Sequence, residues 1–270
     1  FRSGREFENN TSAGRQYSSC ILATALQGSR SKMPRPEQFS ANIGMLFTEL
    51  PFMKRFQAAY AAGFSVVEIN TQDMFDVPAV DLRGALNDAN LKLALFNMRS
   101  TSRLGEAAQP GKEKEFEKCL QITKEYCIEL NCKTVHCMAG DVHQDTEAQM
   151  PVFINNLKRA AEVLGPLGVT VCIEPLNERL RPNYFLKSNH MAAGILSEVG
   201  SKHVKLLFDF YHTQIIGGDL TMALYEYLPA TGHLQLAGVP DRHEPDNTQE
   251  VNYDFILAEL DKLEYNGYLG

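Results

Sequence analysis

Three oxygen-bearing side chains stand at or near the ends of apolar runs in this chain. Glu174 closes VTVCIE, Asp209 closes VKLLFD, and Gln235 lies in HLQLAG. An ionised carboxylate at the end of such a run carries a desolvation cost unless a cation or a donor meets it. Taken singly, each has an ordinary explanation: Glu174 as a solvated strand end, Asp209 as a cap for the next helix, Gln235 as a buried amide satisfying backbone groups. Taken together, two carboxylates and an amide oxygen delivered by three successive strands suit a hard divalent cation, Mg2+ or Mn2+. His212 follows Asp209 by three residues and could donate to a substrate oxygen; as an alternative it anchors its loop. Arg242, in PDRHEP, could grip a carboxylate with two parallel hydrogen bonds, or stand as a surface charge. Glu68 and Asn97 close earlier runs in a similar way and form a second tier. His136 reads as a satisfied core histidine.

Such residues need a frame that brings strand ends together. From Phe39 onward, strand-like and helix-like stretches alternate: SVVEIN, KLALFNM, KTVHCMAG, VTVCIEPL, VKLLFDFYH and GHLQLAG are separated by stretches with apolar residues at helical spacing. Phe116, Leu120, Thr123 and Cys127 form one such stripe, and Phe153, Ile154, Leu157, Ala161 and Leu164 form another, which Asp145 or Thr146 could cap. Seven strand-helix units plus the first residues of an eighth strand predict an α/β protein with a (β/α)8 barrel, cut off at its C-terminal end where strand eight begins. A doubly wound open sheet is the alternative, but TELPF after the first strand lacks the Gly-rich turn that such folds carry. In a barrel the carboxyl ends of the strands form the active-site face, which is where Glu174, Asp209 and Gln235 fall. The barrel is expected over residues 37–270. Residues 1–36 are rich in Ser, Arg, Asn and Gly and read as a disordered leader.

Composition narrows the function classes. The chain has 270 residues, 44% hydrophobic and 22% charged, enough for one substantial core. A formal net charge of -7 gives no electrostatic reason to expect nucleic acid or a membrane as partner. An anionic substrate would therefore need local positive charge. No apolar run approaches the roughly 18 residues of a membrane helix. The six cysteines show neither a CxxC pair nor secretory spacing, so free thiols in a reducing, cytoplasmic setting are expected. Self-association into a homo-oligomer stays open.

FSANIGMLF, GEAAQPGKEKEF, IEPLN, FDFYHTQ, GHLQLAGVPDRHEP and the closing NYDFI and YNGYLG occur in the order in which they occur in hydroxypyruvate isomerases. From about Phe39 to Gly270 the chain resembles that family, which sits in the xylose-isomerase-like barrel superfamily. The resemblance implies a metal-dependent isomerase acting on a small hydroxy-keto acid, with Glu174 as catalytic base and metal ligand. It further implies Asp209 and Gln235 as ligands and His212 and Arg242 as substrate contacts. A second acid/base Glu is expected just after Gly270. The similar ketose 3-epimerases use the same carboxylates on a longer substrate and are the nearest rival. A phosphodiesterase of the endonuclease IV type would need a His-rich three-metal cluster, and a catalytically inactive barrel would serve only as a binding module.

Overall fold

The protein is described by a computed structural model over residues 36–270, so the expected leader, apart from Pro36, lies outside the described residues. The strands are β1 (Ser40–Asn42), β2 (Val66–Ile69), β3 (Lys92–Asn97), β4 (Thr134–His136), β5 (Thr170–Ile173), β6 (Val204–Asp209) and β7 (Thr231–Gln235). They form one parallel sheet in the order β1-β2-β3-β4-β5-β6-β7. Leu269 bridges in parallel to both Phe39 and Leu234, and Ser40 and Gly270 donate backbone hydrogen bonds to Leu269 and Leu234 carbonyls. Leu269 and Gly270 thus occupy the eighth position and join the two edges, as expected for a (β/α)8 barrel.

The helices are α1 (Arg55–Ala61), α2 (Ala79–Asp88), α3 (Glu113–Leu130), α4 (Thr146–Leu164), α5 (Asn189–Val199), α6 (Phe210–Ile216), α7 (Leu220–Tyr227) and α8 (Tyr253–Lys262). Their starts follow from local chemistry. The side chains of Asp145, Ser188, Asp209 and Asn252 accept backbone N–H groups that have no partner in the first turn. The predicted stripes of α3 and α4 are buried, with Phe116, Leu120, Phe153, Leu157 and Leu164 in the main core between helices and sheet. Phe153 is fully buried and meets Phe185 edge-on at 6.1 Å. Phe153→Ala should lower the unfolding free energy by about 3–5 kcal/mol, read by urea denaturation.

Side chains alternate across each strand, and this decides what faces the barrel axis. Val171, Ile173, Leu206, Phe208 and Leu234 join the helix-facing core, whereas Leu95, Cys172 and Leu207 form a separate buried cluster. Two residues further along the same strands come Asn97, Glu174 and Asp209. The small apolar cluster is therefore the floor on which the polar strand-end residues stand. Cys119, Cys127, Cys132, Cys137 and Cys172 are buried free thiols, and burial pushes each thiol pKa up. Cys20 lies outside the described residues. Among the described residues no helix is long and apolar enough to cross a membrane.

Candidate active site

The strand ends open into a cavity of about 790 Å³ lined by Glu174, His212, Gln235 and Arg242, together with Asn97, His136, Arg99, Arg103 and Arg181. Glu174 follows directly on β5 and is 5% exposed, so the solvated strand-end reading does not hold. Asp209 divides its two oxygens between two tasks. Its Oδ1 accepts the backbone N–H of Tyr211 at 2.7 Å and caps α6, while its Oδ2 accepts from Arg242 Nη2 at 3.3 Å and lies 3.8 Å from His212 Nε2. The capping role foreseen for Asp209 is real and occupies Oδ1, so that Oδ2, paired with Arg242, is the oxygen that faces Glu174 and His212.

His212 is almost fully buried, and its ring is fixed from behind. The backbone N–H of Asn177 donates to Nδ1 at 2.9 Å, and the Asn177 amide nitrogen lies at the same distance. With Nδ1 accepting, the proton of a neutral ring resides on Nε2, 3.8 Å from Glu174 Oε1. Desolvation, aided by the charges of Arg242 and Arg181 against the pull of Asp209, lowers the pKa of His212 to about 4. A neutral imidazole with its proton on Nε2 is a hydrogen-bond donor, not a metal ligand. Asn177 stands in the IEPLN stretch of the sequence; its role was hidden because it acts on a residue 35 positions away.

Gln235 is the register partner of Asp209 across β6 and β7. Its amide nitrogen donates to Glu68 Oε2 at 2.5 Å, which leaves the carbonyl oxygen as the atom that could serve a cation. Arg242 has a left-handed backbone (φ 57), stacks 4.9 Å above the Tyr211 ring, and keeps a buried Nε without a partner among the described residues. Arg181 and Arg103, absent from the sequence-derived set, also face the cavity, and Arg103 and Arg242 contribute to lowering the pKa of Arg181, after the larger effect of desolvation. Loop arginines outside strand-end patterns carry no periodic signal, so only the fold reveals them.

The second tier divides. Asn97 and His136 line the cavity, with His136 Nδ1 3.1 Å from Asn97 Oδ1 and 3.6 Å from Glu174 Oε2. His136 is a buried histidine at the edge of the site rather than a satisfied one, because its Nε2 has no partner among the described residues. Glu68 lies beneath the cavity, hydrogen-bonded to Gln235. Glu178, four residues after Glu174, is 63% exposed and pairs with Lys187. Glycine at 105 (φ +88) lets the preceding loop press against the end of β4, since a Cβ there would lie 2.1 Å from the Met138 carbonyl oxygen. Buried Glu106 holds that loop by accepting from Ser100 Oγ and Thr101 N.

The donor set fits a divalent cation. Burial, with the Asp209 charge second, raises the Glu174 pKa well above the usual carboxylate range, and Glu174 Oε1 has no hydrogen-bond partner among the described residues. Two carboxylates crowded in a dry site favour a positive charge between them. Octahedral Mg2+ holds ligand oxygens at about 2.0–2.1 Å, hence about 3–4 Å from one another. Ligand-type atoms of Glu174, Asp209 and His212 lie within 4.8 Å of one another. Because His212 is a donor, Glu174, Asp209 and the carbonyl oxygen of Gln235 are the groups that could hold the ion.

Residues 56–270 match the sequence profile of the xylose isomerase-like TIM barrel. A Danio rerio protein named "Putative hydroxypyruvate isomerase" is 42% identical over 87% of this chain and 89% of its own length. A 2-oxo-tetronate isomerase of Pectobacterium atrosepticum is 37% identical over 86% of this chain and 90% of its own. A crystal structure titled AP endonuclease, family 2, from Brucella melitensis superposes with a TM-score of 0.83 at 38% identity, covering 87% of this chain and 92% of that one.

Proposed function

The chain belongs to the xylose isomerase-like TIM barrel family, and from that membership we propose that it is an isomerase interconverting hydroxypyruvate and 2-hydroxy-3-oxopropanoate. The observation that carries this reading is Glu174: a buried carboxylate with an unpartnered oxygen, set between neutral His212 and the Asp209–Arg242 pair at the mouth of a cationic cavity.

In this isomerisation a proton leaves C3 of hydroxypyruvate and one is delivered to C2, while the carbonyl and hydroxyl exchange places through an enediolate. Glu174, Asp209 and Gln235 would hold a divalent cation, Mg2+ or Mn2+, which when bound supplies Lewis-acid stabilisation worth several kcal/mol to the charge on the substrate oxygens. Glu174 moves the proton, its Oε1 having no hydrogen-bond partner among the described residues. Neutral His212 donates its Nε2–H to a substrate oxygen and, with both Asn177 donors behind it, stays oriented through the reaction. Arg242, which lines the cavity, binds the substrate carboxylate through its guanidinium, and Arg103 and Arg181 add positive potential on the same side.

Arg242→Ala should raise KM for hydroxypyruvate about 10- to 100-fold, since a hydrogen bond to a charged group contributes about 1.5–3 kcal/mol and each 1.4 kcal/mol is tenfold. Steady-state kinetics check it, and an unchanged KM would remove Arg242 from the substrate site.

A substrate panel tests the proposal as a whole. Hydroxypyruvate is expected to be turned over with kcat/KM at least about 100-fold above tagatose and psicose, because these neutral ketoses offer no carboxylate to Arg242. The 2-oxo-tetronate acid keeps the carboxylate and adds one hydroxylated carbon, and the relatives named for it make it the second substrate to try. Preference for a ketohexose would replace this reading by the epimerase one. Abasic-site DNA should remain uncut: His212 is committed as a donor, and one group of three His, Cys, Asp or Glu ligand atoms is present among the described residues. Failure to turn over any of these substrates would leave the binding-module reading.

A further inference from the structure

We infer that Glu68 is a positioning residue that turns the Gln235 amide so that its carbonyl oxygen, rather than its NH2 group, is the end available to a cation at the strand ends. The inference rests on the proposal that Gln235 holds that cation, and it concerns a residue two layers removed from the substrate.

A glutamine amide has an acceptor end and a donor end of nearly the same shape, so nothing in the side chain itself chooses between them. In a cation site the choice decides everything, because an N–H pointing at the ion, or at the carboxylates of Glu174 and Asp209, gives no bond to the metal. Glu68 makes the choice by being a pure acceptor when ionised. It is fully buried on β2, with Oε2 2.5 Å from the Gln235 nitrogen and Oε1 2.5 Å from His233 Nε2. His233 and Gln235 are alternate residues of β7 and so lie on the same side of the strand. One carboxylate is thus held at two points by two side chains of one strand and cannot swing away from Gln235.

The space for this contact is built into the backbone. Glu68 belongs to β2 and reaches β7 past the positions of β1 and the eighth segment. At that eighth segment the residue is Gly270, where a Cβ would come within 1.9 Å of Glu68 Oε1. A fully buried carboxylate is expensive to keep, and the fold would hold a Leu at such a position more easily. Its retention beside the one uncharged member of the candidate ligand set is explained if orientation of that member is its task. Partners of this kind, one shell out from a metal, typically carry 10- to 100-fold of the metal affinity.

The test is Mn2+ binding by isothermal calorimetry on the metal-free protein, with the thermal midpoint of the metal-free form recorded alongside. Glu68→Gln keeps the volume and lets the amide pair exchange donor and acceptor, and Mn2+ affinity should fall about 10- to 100-fold. The exchanged pair, Glu68→Gln with Gln235→Glu, restores a donor facing an acceptor and leaves an oxygen toward the ion. Its affinity should return to within a few-fold of the parent. Gln235→Glu alone carries the same added carboxylate without the exchanged donor, and its Mn2+ affinity should stay below that of the exchanged pair; equal affinity would overturn the inference. If Glu68→Gln fails to fold, the exchanged pair decides by the same criterion. Parent-like binding by Glu68→Gln, or an exchanged pair that is unfolded or binds no better than the single variant, would overturn the inference. Absence of Mn2+ binding by the parent protein would instead remove the cation reading on which it rests.

Discussion

Glu174→Gln is expected to abolish turnover of hydroxypyruvate, with kcat reduced about 1000-fold or more, while the protein stays folded. The loss combines two effects. An amide cannot take and return the proton, and a positioned general base alone is worth about 100- to 10,000-fold. It also removes one of two negative charges from the proposed cation site. The fold should tolerate the change because the amide is isosteric with the carboxylate and, in this buried position, cheaper to keep out of water than a charge. Stopped or coupled assays of kcat together with the urea midpoint check both halves of the expectation. A variant retaining near-parent kcat would show that the proton is carried by another group.

Withdrawal of divalent cations by a chelator is expected to lower activity by a comparable factor, and Mn2+ or Mg2+ to restore it. Several kcal/mol of stabilisation for charge on the substrate oxygens corresponds to a loss of about 1000-fold, at 1.36 kcal/mol per factor of ten. Among the described residues His212 offers one neutral donor, Arg242 is engaged with Asp209, and Arg103 and Arg181 supply positive potential from the cavity wall, so the cation is expected to carry most of that stabilisation. Asp209→Asn should mimic chelation but be only partly rescued by high Mn2+, since Oδ1 would still cap α6 while Oδ2 loses its charge. Full activity in the presence of chelator, after dialysis shown to remove bound metal, would rule out cation assistance.

Much of this was legible in the sequence because a parallel barrel leaves a simple trace. Strands buried on both faces read as apolar runs, and the carboxyl-end residues of those runs converge by topology alone. That is how Glu174, Asp209 and Gln235 could be assembled from three separate stretches. The stripes on α3 and α4 and the cap at Asp145 were equally readable, being local. What the sequence withheld were relations across the barrel. Glu68 stood out only as another strand-end acid, and its contact with Gln235 spans 167 residues. Asn177 follows β5 in the IEPLN stretch, and its contacts with His212 Nδ1 span 35 residues. His136 was read as a satisfied core histidine because burial alone cannot show that one ring nitrogen lacks a partner. Arg103 and Arg181 lie on loops, where neither period nor cap marks a position.

The central claim is that Glu174, Asp209 and Gln235 hold one divalent cation while His212 stands beside it as a donor. Crystals grown with Mn2+ and measured at the manganese absorption edge test this most directly. One anomalous peak is expected at the strand ends, bonded to oxygens of all three residues at about 2.0–2.3 Å, with His212 Nε2 outside bonding distance. A peak ligated by His212 with Gln235 turned away, or no peak at saturating Mn2+, would contradict it.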